Sequence, residues 1–283
     1  MWFELLWRGA LVFVSVVVGL YAAGRLLWRV ERLAGPISRR TGVPASLVAL
    51  AVVEARAPHV ALAEAYRRGV LEFRHLLQFT FATWPLRVVL LHLRIGVIPV
   101  ALGALGWLGA AYLGLVYLSS AVGFLIAWRT KVRWPDMSAE LRRLSGVRVW
   151  RQAASVTLRY LAFEAVFMAL DLLGLRISFG WLPLSPEALA VASIAAFRPT
   201  YGIMAGAPAF HSGRIGAVEL LFALMLGRVV YMSVYEFPRS AVQFYASIYP
   251  PGVAGRLTAY TAAVMYSTAV PVLAALFLLM RGA

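Results

Sequence analysis

The sequence predicts an all-α, polytopic membrane protein, and three observations predict it. Of its 283 residues 62% are hydrophobic and only 14% are charged, against about 25% charged in a soluble domain, and mean hydropathy is +0.79. Several apolar runs approach the roughly 20 residues that cross a bilayer. Two further runs are interrupted midway, at Glu54-Ala55-Arg56-Ala57-Pro58-His59 and at Arg198-Pro199-Thr200. Non-helical backbone at membrane depth is tolerated only inside protein or beside a water-filled cavity, and broken helices of this kind are where secondary transporters place their substrates.

The elements follow in order. Segment a1, Arg8–Trp28, is too long for a signal-peptide core and lacks a basic leader, so it reads as a retained helix. Arg25, Arg29, Arg32, Arg39 and Arg40 make the stretch around and after its end basic. Segment b1, Pro44–Tyr66, is the first broken run, and Arg67, Arg68 and Arg74 form a basic turn behind it. Segment c1 is His75–Leu93, and d1, Ile95–Trp128, is rich in glycine. The longest polar loop, 129–152, carries seven Lys/Arg against two acids. Segment a2 is Ala153–Leu175, b2 is the second broken run, Pro186–His211, and c2 is Ile215–Phe237. Ser240–Tyr249 reads as an interfacial amphipathic piece, and d2, Leu257–Met280, closes the series.

The order of broken segment, glycine turn and intact segment occurs twice. This predicts two membrane repeats, 1–128 and 153–283, joined by a basic cytoplasmic loop, 129–152. Arg56-x-Pro58 aligns with Arg198-Pro199, and Gly69 and Leu76-Leu77 align with Gly213 and Leu220-Leu221 at an offset of 144. Charge placement then selects the topology. If b1 and b2 each crossed the bilayer, the basic clusters at 25–40 and 67–74 would face opposite sides, against the positive-inside rule. If both are re-entrant hairpins, the clusters at 25–40, 67–74 and 129–151 all fall on the cytoplasmic side. Each repeat then has three spans, so the two are inverted relative to each other. The expectation is about six transmembrane helices plus two re-entrant hairpins, multi-pass in the cell membrane.

The stretch b2–d2 carries Arg198-Pro199-Thr200-Tyr201-Gly202, then Gly213, then the run from Glu219 to Gly227-Arg228. After these come Phe237-Pro238-Arg239 and Tyr249-Pro250-Pro251-Gly252. This pattern resembles the nucleoside-recognition, or Gate, domain of prokaryotic membrane proteins, and most closely its small stand-alone archaeal members. The resemblance implies a hairpin-and-helix core similar to that of concentrative nucleoside transporters and of the membrane part of the bacterial ferrous iron transporter. Nucleoside carriers read sugar and base with amide and carboxylate side chains in their hairpins, whereas this chain has no Asn and three Gln.

Arg56 and Arg198 stand at the breaks. An arginine at the bilayer centre costs about 2.5–3.5 kcal/mol on insertion scales, so each needs a partner or a role. One reading is an anion clamp at the hairpin tips, with Glu54, His59, Thr200 and Gly202 beside it. The other is structural pairing, of Arg56 with Glu54 or Glu64 and of Arg198 with Glu219. Glu54 and His59 are also proton-relay candidates. Glu164 and Asp171, seven residues apart on one helical face, are candidates for ion or proton coupling. Glu219 and Arg228 in c2 are further substrate-site candidates, and His75 aligns with Glu219. Gly202-x-x-x-Gly206 reads as a packing motif. Tryptophans near segment ends, Trp128, Trp134 and Trp150 among them, read as interfacial belts.

Without cysteine there can be no disulfide, iron–sulfur cluster or thiolate metal site, and four scattered histidines do not predict a metal site. The net charge of +15 is explained by the positive-inside effect and anionic headgroups rather than by nucleic acid. No H-E-x-x-H, G-x-x-x-x-G-K-[ST], G-x-S-x-G or glycine-rich dinucleotide motif occurs, so neither enzymatic chemistry nor a cofactor is expected. The expected partners are the lipid bilayer and a small solute, and glycine-rich d1 allows a homo-oligomer. The expected function is a permease that binds a small polar or anionic solute at mid-membrane between the hairpin tips, with coupling, if any, to an ion or proton gradient. The alternative is a non-transporting membrane scaffold or partner subunit.

Overall fold

A computed structural model describes residues 2–25, 27–130, 132–137, 147–171, 179–180 and 182–282. Helix makes up 86% of it and no strand occurs among the described residues, so the chain is all-α. The helices are α1 Trp2–Arg25, α2 Leu27–Thr41, α3 Ala45–Val53, α4 Arg56–Arg67, α5 Phe73–Arg94, α6 Val97–Leu105 and α7 Trp107–Arg129. The second half contributes α8 Val147–Asp171, α9 Pro186–Phe197, α10 Pro199–His211, α11 Ala217–Tyr231, α12 Gln243–Ile248 and α13 Pro251–Gly282. Among the described residues four helices are long and apolar enough to cross a membrane: Phe73–Arg94, Trp107–Arg129, Ala217–Ile248 and Pro251–Gly282. Leu5–Val18 and Pro186–Phe197 are shorter apolar helices. This is the pattern of an α-helical membrane protein.

Both broken runs form helical hairpins, by different local chemistry. In the second, the Ser185 side chain caps α9 by accepting from the Ala188 amide at 3.2 Å, and Pro186 occupies the first turn. Pro199 then ends it, because the residue before a proline is pushed out of the α region. Arg198 is extended (φ −145°, ψ 95°) and Pro199 opens α10. In the first hairpin no proline marks the break. Glu54 is extended (φ −152°, ψ 122°), and its carboxylate accepts from the amides of Arg56 at 2.5 Å and Ala57 at 2.7 Å. An anionic acceptor there satisfies orphan N–H groups and the positive end of the helix dipole. The break is therefore at Glu54–Ala55. Pro58 lies in the first turn of α4, where a proline is tolerated. Glu54, not Arg56, stands 144 residues before Arg198, which corrects the expected pairing by two residues.

Both hairpins end alike. Gly69 and Gly213 each take φ +74°. The next amide reaches back five residues, Val70 to the Ala65 carbonyl at 3.0 Å and Arg214 to Ala209 at 2.9 Å. This is the left-handed C-terminal cap that favours glycine. Leu76 and Leu220, also 144 apart, are both fully buried.

Two expectations are corrected. Segment d1 is not one helix, because Gly106, with φ +57°, separates α6 from α7. Ser240–Tyr249 is not an interfacial amphipathic piece. The helix of c2 continues through a π-helical stretch, Met232–Val242, into α12, so one helix runs from Ala217 to Ile248. Gln243, Tyr245, Ser247 and Tyr249 are buried.

The chain forms two compact units that do not follow its two halves. One comprises 1–87, 121–173 and 239–261, and the other 88–120, 174–238 and 262–283. In the first, α1 packs on α8, α2 on α3, and α12 on both α4 and α8, over a core that includes Leu47, Leu50, Leu62 and Phe79. In the second, α9 packs closely on α10 and α11. Here Gly202 and Gly227 lie directly against Ala195, where an added Cβ would come within 2.5 Å of the Ala195 Cβ.

Candidate functional site

In the first unit the break places charge around one aromatic ring. The Arg56 guanidinium lies 6.0 Å from the centre of the Phe244 ring and 5.6 Å from that of Tyr160. Arg87, from within α5, lies 5.2 Å from the same Phe244 ring. Arg56 is 3.7 Å from Glu54, whose other oxygen is held by two backbone amides, and Arg56 Nε has no hydrogen-bond partner among the described residues. His59 is fully buried, edge-on to Phe79, Phe244, Tyr245 and Tyr249. Its Nδ1 lies 2.8 Å from the Tyr249 hydroxyl and its Nε2 lies 3.4 Å from Arg87. A guanidinium can only donate, so Nε2 accepts and Nδ1 carries the proton. His59 thus positions Arg87 and Tyr249. It does not pair with Arg56, and as a proton relay it would end on a cation that cannot accept a proton.

A second knot lies in the same unit. The Glu164 carboxylate, 1% exposed, accepts from Arg8, from Arg239 at 3.4 Å and from the Gln243 amide at 3.1 Å. Gln243 also donates to the Tyr160 carbonyl at 2.9 Å. Charge-assisted bonds of this kind are about twice as strong as neutral ones, and they leave the Glu164 oxygens occupied. The knot joins α1, α8 and the α12 region. Asp171 ends α8, and its side chain lies outside the described residues, as do positions 131 and 138–146 of the basic loop.

In the second unit Arg228 is 6% exposed. It pairs with Glu236 at 2.9 Å and lies 3.4 Å from His92 Nε2, while His92 Nδ1 lies 3.2 Å from the Tyr117 hydroxyl. Arg198 is exposed on this unit and is not ion-paired with Glu219. The Glu219 carboxylate instead accepts from the Ser185 amide at 2.8 Å and braces the start of α9. Its sequence counterpart His75 is also a backbone brace, bonded to the Glu72 amide and the Arg133 carbonyl. Thr200 is half-buried in the first turn of α10, and Gly202 is a close-packing position. The Trp134 indole donates to the buried Gln78 side chain at 2.8 Å.

The structure therefore brings Glu54, Arg56 and His59 together around Phe244 and leaves Gly202, Glu219 and Glu164 in structural roles. It adds Arg87, Glu236, His92, Tyr117 and Tyr249, which were not candidates. Lone charges inside apolar runs were the available signal for Arg87 and Glu236. Compared with known protein families, with curated proteins and with solved structures, the chain finds no match.

Proposed function

We propose that the chain is a membrane permease whose solute is a small anion, bound beside the first hairpin break by Arg56 and Arg87. The observation that carries this is the placement of two guanidiniums within 6.0 Å of the centre of one ring, Phe244, with Glu54 the only acid paired to either of them among the described residues. An arginine inside a candidate span is costly unless it has a partner or a task, and Arg87 has only a histidine and a ring face. The segment lengths support re-entrant hairpins. At ~1.5 Å per residue, helices of 9, 12, 12 and 13 residues are half-depth elements in a bilayer core of ~30 Å. In this reading α1 and α8 join the four long apolar helices as spans, and two Gate-like repeats of opposite orientation each carry one hairpin.

The test is binding of inorganic phosphate, sulfate and short carboxylates to the purified protein, followed by flux of the bound anion into proteoliposomes. Arg56→Ala and Arg87→Ala should each weaken binding by about tenfold or more, as expected for one charge-assisted bond. Binding that ignores both substitutions, or no binding of any of these anions, overturns the proposal. A second reading, a non-transporting scaffold or partner subunit, is favoured by the neutralisation of Arg228 by Glu236 and of Glu164 by Arg8 and Arg239.

A further inference from the structure

The geometry points to a second ligand site, in the second unit, where a small monovalent anion binds the guanidinium of Arg228 at a donor that Glu236 leaves open. It rests on the membrane setting proposed above but not on the site at Arg56 and Arg87.

The site is a cavity beside α11. Arg228 lines it with the hydroxyl residues Ser119 and Thr268 and the side chains of Met225, Met232 and Met265. The cavity volume is about 20 Å³, room for roughly one or two waters, which is the size class of a halide or nitrate. Thr268 already donates to carbonyls of its own helix, whereas the Ser119 hydroxyl has no partner among the described residues. The lining thus offers donors and polarisable thioethers, with no acid among the lining residues.

Glu236 pairs with Nη2 of Arg228 at 2.9 Å, and the buried Arg228 Nε has no hydrogen-bond partner among the described residues, so the pair leaves a donor of the guanidinium open. The two partners differ in freedom. The Arg228 side chain is 7% exposed and that of Glu236 26%. Arg228 is further fixed by His92, whose own Nδ1 is held by Tyr117, and by the Tyr231 ring 5.7 Å away. Among the described residues Glu236 has Arg228 as its one ion-pair partner, and it sits in the π-helical stretch Met232–Val242, which contains Pro238. π-helical turns are frequent at functional sites. The charged and titratable groups facing the pair are His92, Tyr112, Tyr117 and Tyr231. His92 Nε2 accepts from the guanidinium and has no proton to offer toward it.

The experiment is titration of the purified Arg87→Ala protein, in which the first unit's proposed anion site is weakened, with sodium nitrate or bromide in detergent solution, reading heat. The expected result is saturable binding. Glu236→Gln in the same background, which removes the neighbouring negative charge, should bind about tenfold tighter or better, and Arg228→Met should lose binding. Two results overturn the inference: no saturable binding to either the Arg87→Ala protein or its Glu236→Gln variant, or binding retained in Arg228→Met. Should Arg228→Met fail to fold, the Glu236→Gln comparison decides alone, and an affinity that does not rise overturns the inference.

Discussion

The two hairpins reach the same shape by opposite means. The first is closed by charge: Glu54 caps α4 with its carboxylate, and the surrounding helices are tied by the Glu164 knot. The second is closed by shape: Pro199 breaks the helix, and Gly202 and Gly227 let α10 and α11 press onto Ala195 of α9. An extended residue at the break, a glycine cap at φ +74° and a fully buried leucine seven residues beyond that cap are common to both. What is shared is backbone geometry, and the chemistry that enforces it is free to differ. Each unit also contains an Arg–His–Tyr chain with the same contacts, guanidinium at 3.4 Å from Nε2 and tyrosine hydroxyl on Nδ1. The arginine of the first chain has no acid among the described residues, whereas that of the second is held by Glu236.

This contrast can be broken experimentally, and the largest effect belongs to Glu164. Glu164→Ala removes a buried carboxylate that accepts from Arg8, Arg239 and Gln243 and should cost about 2–3 kcal/mol, read as a large fall in the melting temperature of the detergent-solubilised protein. A neutral outcome would remove the claim that charge holds the first unit together. Next comes steric insertion in the second unit. Gly202→Val or Gly227→Val drives a side chain into Ala195 and should cost about 1–3 kcal/mol. Gly255→Ala, where nothing lies within 4 Å of the added carbon, should change the melting temperature by less than either. The caps sharpen the comparison further. Glu54→Ala should cost about 0.5–2 kcal/mol by loss of an N-terminal cap. Arg198→Ala, at the equivalent position but exposed, should stay within about 0.5 kcal/mol.

The helices were legible because apolar runs dictate them, and Arg198 was legible as a break because a proline follows it. The first break was placed too broadly because Pro58 looks like a breaker, although in the first turn of a helix a proline costs nothing. The division of d1 at Gly106 was missed since one glycine among many carries little signal. Ser240–Tyr249 looked amphipathic because Gln243 and Ser247 are polar. Gln243 in fact has its partners 79 and 83 residues earlier, at Glu164 and Tyr160, and no local pattern shows that. The same applies to the candidate sites. His59 was visible as an intramembrane histidine, but its partners Arg87 and Tyr249 lie 28 and 190 residues away. Glu219 was a reasonable substrate candidate until Ser185, 34 residues distant, proved to use its carboxylate.

The measurement that bears most directly on the hairpins is sided labelling of single cysteines, for which the cysteine-free chain gives a clean background. Ser38→Cys and Val70→Cys flank the first hairpin, and Leu184→Cys and Ser212→Cys flank the second. If both broken helices enter and leave the membrane on one face, Ser38→Cys and Val70→Cys label from the cytoplasmic side, and Leu184→Cys and Ser212→Cys label together from the other. Labelling of Ser38→Cys and Val70→Cys from opposite sides would mean that the first broken helix crosses the bilayer, and would contradict re-entrant hairpins and inverted repeats alike.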